Sequence, residues 1–460
     1  MSIILYMSKE SQEAHYKKMT ETPVQKLILI LCIPTILSML VTNIYNLADT
    51  WFVGKLGTSA SGAVGIVFGF MAIVQAVGFM FGNGAGSILA RKLGHMDIKG
   101  ASSTASTGFF LSLGIGILEC LFCFIFIEPL VMFLGSTKTI APYAVTYISF
   151  ILITAPVMTA GFTLNNILRY EGKAFYAMIG MLSGCLLNIL GDYIFMRKLH
   201  MGIEGAGLST AIGQLVSFLF LLYPFLTGRT QCRISIRKVN FNLRHIGDII
   251  ATGLPSLIRQ GLNSIATILL NSLSGAYGDA AVAGMSIVSR VYFFIFAIAL
   301  GVGQGLQPVA SFNYGAGKYR RVRKAYKFTA TLATAIIILP GLLVLLMAPE
   351  VVRLFRDDDL VVEYGARALT LQCIAGFVMP YCMATELLLQ STGKKLSASI
   401  LSALRSGVIF IPALWILAHL RGMAGIQEAQ PLAFALSFFP TLYFSTTYFK
   451  KMPTKDKEQA

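Results

Sequence analysis

Twelve apolar runs, each long enough to cross a bilayer as a helix, follow one another along this chain of 460 residues and leave few other folds open to it. They lie near residues 26–53, 59–82, 101–127, 139–162, 170–196, 203–227, 245–272, 280–306, 325–348, 361–388, 395–419 and 427–449. A hydrocarbon layer of roughly 30 Å takes a helix of about 20 residues. The runs are too long, and too uniformly apolar, to be barrel strands that alternate inward and outward residues. Charged residues make up 13% of the chain against 55% hydrophobic, which excludes a soluble domain with an ordinary polar surface. The net charge of +16 does not point to nucleic acid. Lys and Arg sit in short clusters between apolar runs, such as Arg91 and Lys92, Arg169 and Lys173, Arg320 to Lys327, and Lys394 with Lys395. These clusters all fall in the even-numbered connections, so the positive-inside rule places both termini in the cytoplasm. The N-terminal stretch has no basic start, apolar core and small-residue cleavage site, and no cleaved leader is expected. Six of the seven cysteines lie in apolar runs. They read as small fillers, and Cys120 with Cys123 lacks a second pair to complete a zinc site.

The second half repeats the first at a constant offset of 221 in sequence number. Gly54, Gly57, Gly82, Gly84 and Gly94 meet Gly275, Gly278, Gly303, Gly305 and Gly315 without a gap, and Gly172–Lys173 meets Gly393–Lys394. Six spans per half is an even number, so the halves share an orientation and are related by a pseudo-two-fold axis along the membrane normal, an arrangement found in secondary transporters. The expected fold is an all-α integral membrane protein with twelve transmembrane helices in two six-helix lobes. Its parts are a cytoplasmic N-terminal segment (1–25), an N-lobe (26–227), a cytoplasmic linker (228–244), a C-lobe (245–449) and a cytoplasmic tail (450–460).

Polar side chains inside these spans need a reason to be there, because an intramembrane charge costs about 2.5–3.5 kcal/mol on insertion scales. On span five, "LLNILGDYIF" stacks Asn188 and Asp192 on one helix face. On span one, Thr42, Asn46 and Asp49 form a polar stripe with spacings of four and three. Asp49 lies six residues before Lys55, Asp192 five before Arg197 and Thr210 ten after His200, so Asp49, Asn188, Asp192 and Thr210 can meet at similar depth in one lobe. Two carboxylates sharing a small site cannot both ionise easily. With the Asn188 carbonyl and the Thr210 hydroxyl they make a proton acceptor, or a set of hard oxygen ligands that a small cation such as Na⁺ would accept. A polar knot that merely ties spans one, five and six together is the competing reading.

In the C-lobe, Arg259 and Glu386 either pair or line a cleft; elsewhere, Glu119 of span three and Arg290 of span eight read as interior hydrogen-bonding groups, and Pro34 and Pro255 interrupt spans one and seven as hinges or as static kinks. The 19 Met and 32 Phe suit an adaptable apolar cavity. No phosphate-binding loop, metalloprotease motif or nucleophile–base signature is visible, so an enzyme is not expected, no cofactor is implied, and an ion gradient is the expected energy source.

The segments "IPTILSMLVTNIYNLADTWFVGKLG", "FGNGAGSILARKLG", "GKAFYAMIGMLSGCLLNILGDYIF" and "GQGLQPVASFNYGAG", in this order, resemble those of the multidrug and toxic compound extrusion (MATE) family, in its bacterial DinF-like and MepA-like branch. The resemblance covers nearly the whole chain. It implies a multi-pass protein of the inner (plasma) membrane that exports lipophilic, cationic or zwitterionic compounds in exchange for H⁺ or Na⁺ by alternating access, functional as a monomer. It carries a cation-coupling role onto Asp49, Asn188, Asp192 and Thr210, and leaves Asn46, Arg259, Asn263 and Glu386 as cleft candidates. Some family members have an acidic residue where this chain has Asn263, which weakens a C-lobe coupling site. A flippase of lipid-linked precursors is the nearest alternative, disfavoured by twelve spans with few internal Arg or Lys. A receptor or channel without coupled transport is disfavoured by the duplication.

Overall fold

The computed structural model describes residues 9–457, and among these the side chains of Lys9, Asn46, Leu47 and Thr58 lie outside the described set. A polar helix α1 (Lys9–Glu21) precedes α2 (Val24–Gly54), α3 (Thr58–Gly94), α4 (Ile98–Ile125), the short α5 (Ile127–Phe133) and α6 (Ala141–Tyr170). Next come α7 (Ala174–Gly191), extended by a π-helical stretch Asp192–Lys198, and α8 (Gly202–Leu226). A linker leads to α9 (Leu243–Gly275), α10 (Asp279–Gly315), α11 (Tyr319–Leu346), the short α12 (Ala348–Phe355), α13 (Asp359–Gly376) and α14 (Met379–Ser391). The last elements are α15 (Lys395–Ala403), a second π-helical stretch Leu404–Val408, α16 (Phe410–Arg421) and α17 (Met423–Lys451). No strand occurs among the described residues.

Among the described residues nine helices are long and apolar enough to cross a membrane, and α13 with α14, bent by 53°, makes a tenth. The bend falls where Pro380 opens α14, a first-turn position at which proline's missing N–H costs nothing. Spans seven and twelve correspond to α9 and α17, of 33 and 29 residues. Their length suffices for a crossing. Arg259, Gln260 and Asn263 on α9, and Gln427, Glu428 and Gln430 on α17, hold their hydropathy down.

The chain forms two compact units. One holds Leu37–Leu257 with the N-terminal segment up to Thr22, and the other holds Pro23–Ile36 with everything from Ile258 onward. The boundaries therefore fall within α2 and α9 and not in the loops, and Leu37 and Ile258, the first residues beyond them, are themselves repeat counterparts. Each unit thus takes the first half of a helix from the other repeat, and the packing explains how. In the first unit, a Cβ on Gly84 of α3 would sit 2.1 Å from the Ile249 carbonyl oxygen of α9, and one on Gly253 would sit 1.8 Å from that of Met80. In the second, Gly305 and Gly301 of α10 press likewise on Cys32 and Ile36 of α2, at 2.8 and 2.5 Å. Gly84 and Gly305 are repeat counterparts, as are Gly253 and Cys32, so one helix crossing is built twice. In lipid, close backbone approach of this kind holds helices together, because the surrounding acyl chains are as apolar as the helices themselves. Pro34 and Pro255 lie just before the two boundaries, each inside a helix assigned as continuous.

Helix α6 forms the centre of the first unit, burying Tyr147, Ile148, Ile151 and Leu152 against Val64, Val67 and Phe70 of α3. The second unit packs Ala281, Met285 and Val288 of α10 around Leu369, Leu414 and Ile426.

Candidate functional site

Glycines bring α7 onto α8. A Cβ on Gly184 would lie 2.6 Å from the Gly213 carbonyl oxygen, and one on Gly213 would lie 2.8 Å from that of Gly184. This contact sets Asn188, one turn beyond Gly184, against Thr210 of α8. The Asn188 amide is oriented by its neighbours: Nδ2 donates to Asp192 Oδ2 at 3.3 Å, and Oδ1 accepts from Thr210 N and Oγ1, each at 3.1 Å. Tyr147 of α6 reaches the same Thr210 hydroxyl at 3.4 Å. Asp192 opens the π-helical stretch and also accepts from the Ser209 hydroxyl. A π-bulge is the kind of irregularity that recurs at functional sites.

Asp49 and Asp192 are both 0% exposed, but their surroundings differ. Asp192 is held by two donors, Ser209 and Asn188. Among the described residues, neither carboxylate oxygen of Asp49 has a hydrogen-bond partner. Asp49 lies within electrostatic reach of Asp192, Tyr45 and Tyr147. A buried carboxylate with no donor is costly as an anion, so the surroundings of Asp49 favour a proton or a small cation. Beside the cluster is a cavity of ≈ 150 Å³ bordered by Thr42, Tyr45, Gln75, Met71, Asn188 and Thr210, room for several ordered waters.

In the second unit Glu386 of α14 is buried between two arginines. Arg259 Nη1 of α9 lies 2.7 Å from Oε1, and Arg405 Nη2, from the second π-helical stretch, lies 2.6 Å from Oε2. The triad carries a formal charge of +1, and Arg405 also lies over the Phe296 ring at 5.9 Å. Asn263, one turn beyond Arg259 on α9, is exposed. Arg290, expected in the interior, is exposed, while Glu119 is half-buried with one carboxylate oxygen unpartnered. The side chain of Asn46 lies outside the described residues. Sequence reasoning missed Ser209, Tyr147 and Arg405. Arg405 was legible as a charge inside an apolar run; the two hydroxyls carried no signal beyond their depth.

A duplicated set of membrane-crossing helices, each half enclosing its own buried charged cluster, is the build of a polytopic membrane transporter and not of an enzyme. Residues 34–194 and 255–416 each match the MatE family, and the chain belongs to that family. The two matched stretches begin at Pro34 and Pro255, which are counterparts in the repeat. Multidrug export protein MepA of Staphylococcus aureus (strain N315) is 26% identical over 429 residues, spanning 91% of this chain and 92% of that relative. Its namesake in Staphylococcus haemolyticus (strain JCSC1435) is 25% identical over 434 residues, 92% and 93% of the two chains. Among solved structures, an outward-facing conformation of a multidrug resistance MATE family transporter of the MOP superfamily matches with a TM-score of 0.88 at 27% identity, covering 94% of this chain and 97% of that one.

Proposed function

We propose that this protein is a multidrug efflux antiporter of the plasma membrane, working as a monomer with both termini cytoplasmic, that exports lipophilic cationic compounds in exchange for H⁺ or Na⁺ by alternating access. The names of its relatives support multidrug export. The observation that carries ion coupling is Asp49, fully buried with both carboxylate oxygens unpartnered and a second buried carboxylate, Asp192, within electrostatic reach. Ser209 and Asn188 hold Asp192 as an acceptor, and Asp49 takes the incoming proton or cation. Loading neutralises Asp49, halves the negative charge of the cluster and so weakens its attraction for a cationic compound, and ion and exported compound oppose one another; linkage makes that opposition reciprocal. The test is dye efflux from proteoliposomes under an imposed ΔpH or ΔpNa. Efflux driven by either gradient in the wild type and lost in Asp49→Asn supports the reading. Efflux indifferent to both gradients refutes it.

A further inference from the structure

The loop between α14 and α15 repeats the loop between α6 and α7, with Gly393–Lys394 standing where the first repeat has Gly172–Lys173. Both glycines take a left-handed backbone, at φ 79° and 75° respectively. In the first repeat the chain itself fills the space beside this loop. Met19 and His15 of α1 lie 3.2 and 3.7 Å from where a Cβ on Gly172 would be. Glu171 is buried there, accepts the linker amides of Gln231 and Cys232 at 2.9 and 3.0 Å, and lies within electrostatic reach of Lys173. The basic loop of the first repeat thus has its own carboxylate.

Among the described residues, the second repeat has no such counter-charge at this loop. The counterpart of Glu171 is Thr392, whose hydroxyl donates to the Leu388 carbonyl at 2.9 Å. Beside the loop lies a cavity of ≈ 290 Å³ lined by Lys394, Lys451, Ser397, Thr447, Tyr443 and Phe444. Met452 and Pro453 close one side of it, where the chain leaves α17 and is tied down. Arg323 donates to the carbonyls of Phe449 and Met452 at 2.8 and 2.9 Å, and Lys457 N donates to the Gly317 carbonyl at 3.0 Å. Asp456 is turned to the Arg320 amide, 2.8 Å away. Among the described residues no carboxylate lines the cavity, and neither Lys394 nor Lys451 forms an ion pair. Arg323 adds a third cation nearby, with a buried Nε that has no acceptor.

We propose that this cavity binds the phosphate of an anionic phospholipid. The two ammoniums and the Ser397 and Thr447 hydroxyls take the phosphate oxygens, and the lipid body lies along Phe444 and the exposed Tyr443 ring. The cavity lies at the Lys- and Arg-rich ends of the helices, where basic pockets meet anionic headgroups. The aromatic wall favours a lipid over free phosphate, since it offers apolar contact that an inorganic anion cannot use. The bound lipid supplies from outside the acidic group that Glu171 supplies from within the first repeat.

Delipidated protein in detergent is offered phosphatidylglycerol, phosphatidylcholine or inorganic phosphate and followed by native mass spectrometry and thermal unfolding. Phosphatidylglycerol is expected to remain bound and to raise the melting temperature; phosphatidylcholine and inorganic phosphate are expected to do neither. Lys394→Gln and Lys451→Gln should each weaken phosphatidylglycerol binding about fivefold. Thr392→Glu, which restores the carboxylate of the first repeat, should abolish it. Should Thr392→Glu fail to fold, the lysine variants decide. Equal retention of phosphatidylcholine, or undiminished phosphatidylglycerol binding in the double lysine variant, overturns the site, and stabilisation by inorganic phosphate equal to that by phosphatidylglycerol overturns its assignment to lipid.

Discussion

Glu171 ties the segment that follows α8 to the loop between α6 and α7, and it makes that tie depend on pH. Its carboxylate is 0% exposed and accepts two linker amides, at 2.9 Å from Gln231 and 3.0 Å from Cys232. Burial pushes its pKa up from 4.5 to about 7, against the opposing pull of those hydrogen bonds and of Lys173. With the linker released, the group titrates at its ordinary value. Between the two values the docked form keeps a proton that the released form has lost, so docking is strongest below about pH 4.5 and weakens as pH rises through about 7. The full difference amounts to about 3 kcal/mol, of which roughly 1.4 kcal/mol, or tenfold, falls between about pH 6 and 8. Hydrogen–deuterium exchange of linker peptides spanning 228–242, corrected for the intrinsic pH dependence of exchange, should therefore show about tenfold greater protection at the lower pH. Glu171→Gln keeps the shape and one acceptor but cannot ionise, and its profile should be flat, offset by about 1–3 kcal/mol for the amide left unpaired. A wild-type profile that is flat or rises with pH, or a Gln variant with the wild-type slope, would refute the reasoning.

The helix crossing built from Gly253 and Met80 should tolerate no Cβ. Gly253→Ala, with its methyl 1.8 Å from a backbone oxygen, is expected to cost at least the about 1–3 kcal/mol of an overpacked core. Gly247→Ala on the same helix meets nothing within 4 Å and should be neutral or stabilising in thermal unfolding; equal losses would remove the packing argument. Glu386→Gln leaves two guanidiniums without their carboxylate and should destabilise by about 3–5 kcal/mol, whereas Arg405→Met retains the Arg259 pair and should cost less, an order that melting curves can reverse. Asp49→Asn and Asp192→Asn should abolish ion-driven efflux. Asp49→Asn should do so without lowering the melting temperature, because no hydrogen bond to Asp49 is lost; a folded variant with unchanged pH and Na⁺ dependence would place coupling elsewhere.

Much of this architecture was legible because bilayer and repeat constrain sequence strongly. Apolar runs mark spans wherever the helix faces lipid, and this served for α2 to α8. It is weaker for α9 and α17, whose Arg259, Gln427 and Glu428 reduce the apolar signal, and for α13 and α14, where one expected span bends at Pro380. Depth counting brought Asn188, Asp192 and Thr210 together because all three lie near helix ends marked by Arg197 or His200. It could not find Arg405, whose partner Glu386 lies 19 residues away on another helix. Nor does hydropathy say which neighbour each half of a helix packs on. That information resides in Gly84, Gly253 and Gly305, which an apolar count treats as fillers.

The repeat specifies backbone crossings, and each unit adds its own chemistry to them. At the offset of 221, Asp49 meets Leu270, Asn188 meets Ile409 and Asp192 meets Ala413. In the other direction, Arg405 meets Gly184, Glu386 meets Asn165 and Arg259 meets Ser38. The exchange is sterically exclusive at its best-defined point. Gly184 packs so closely on Gly213 that no side chain fits, so the first unit cannot hold an arginine where the second unit anchors its triad. Leu270 belongs to the apolar core of the second unit, where a carboxylate would lack any donor. The acidic cluster of the first unit leaves Asp49 unpartnered, while the triad of the second closes Glu386 between two cations. An open carboxylate can change its occupant during a transport cycle without breaking a hydrogen bond. A closed triad must first surrender a salt bridge, and that asymmetry is the physical ground on which ion exchange is proposed at Asp49 and not at Glu386.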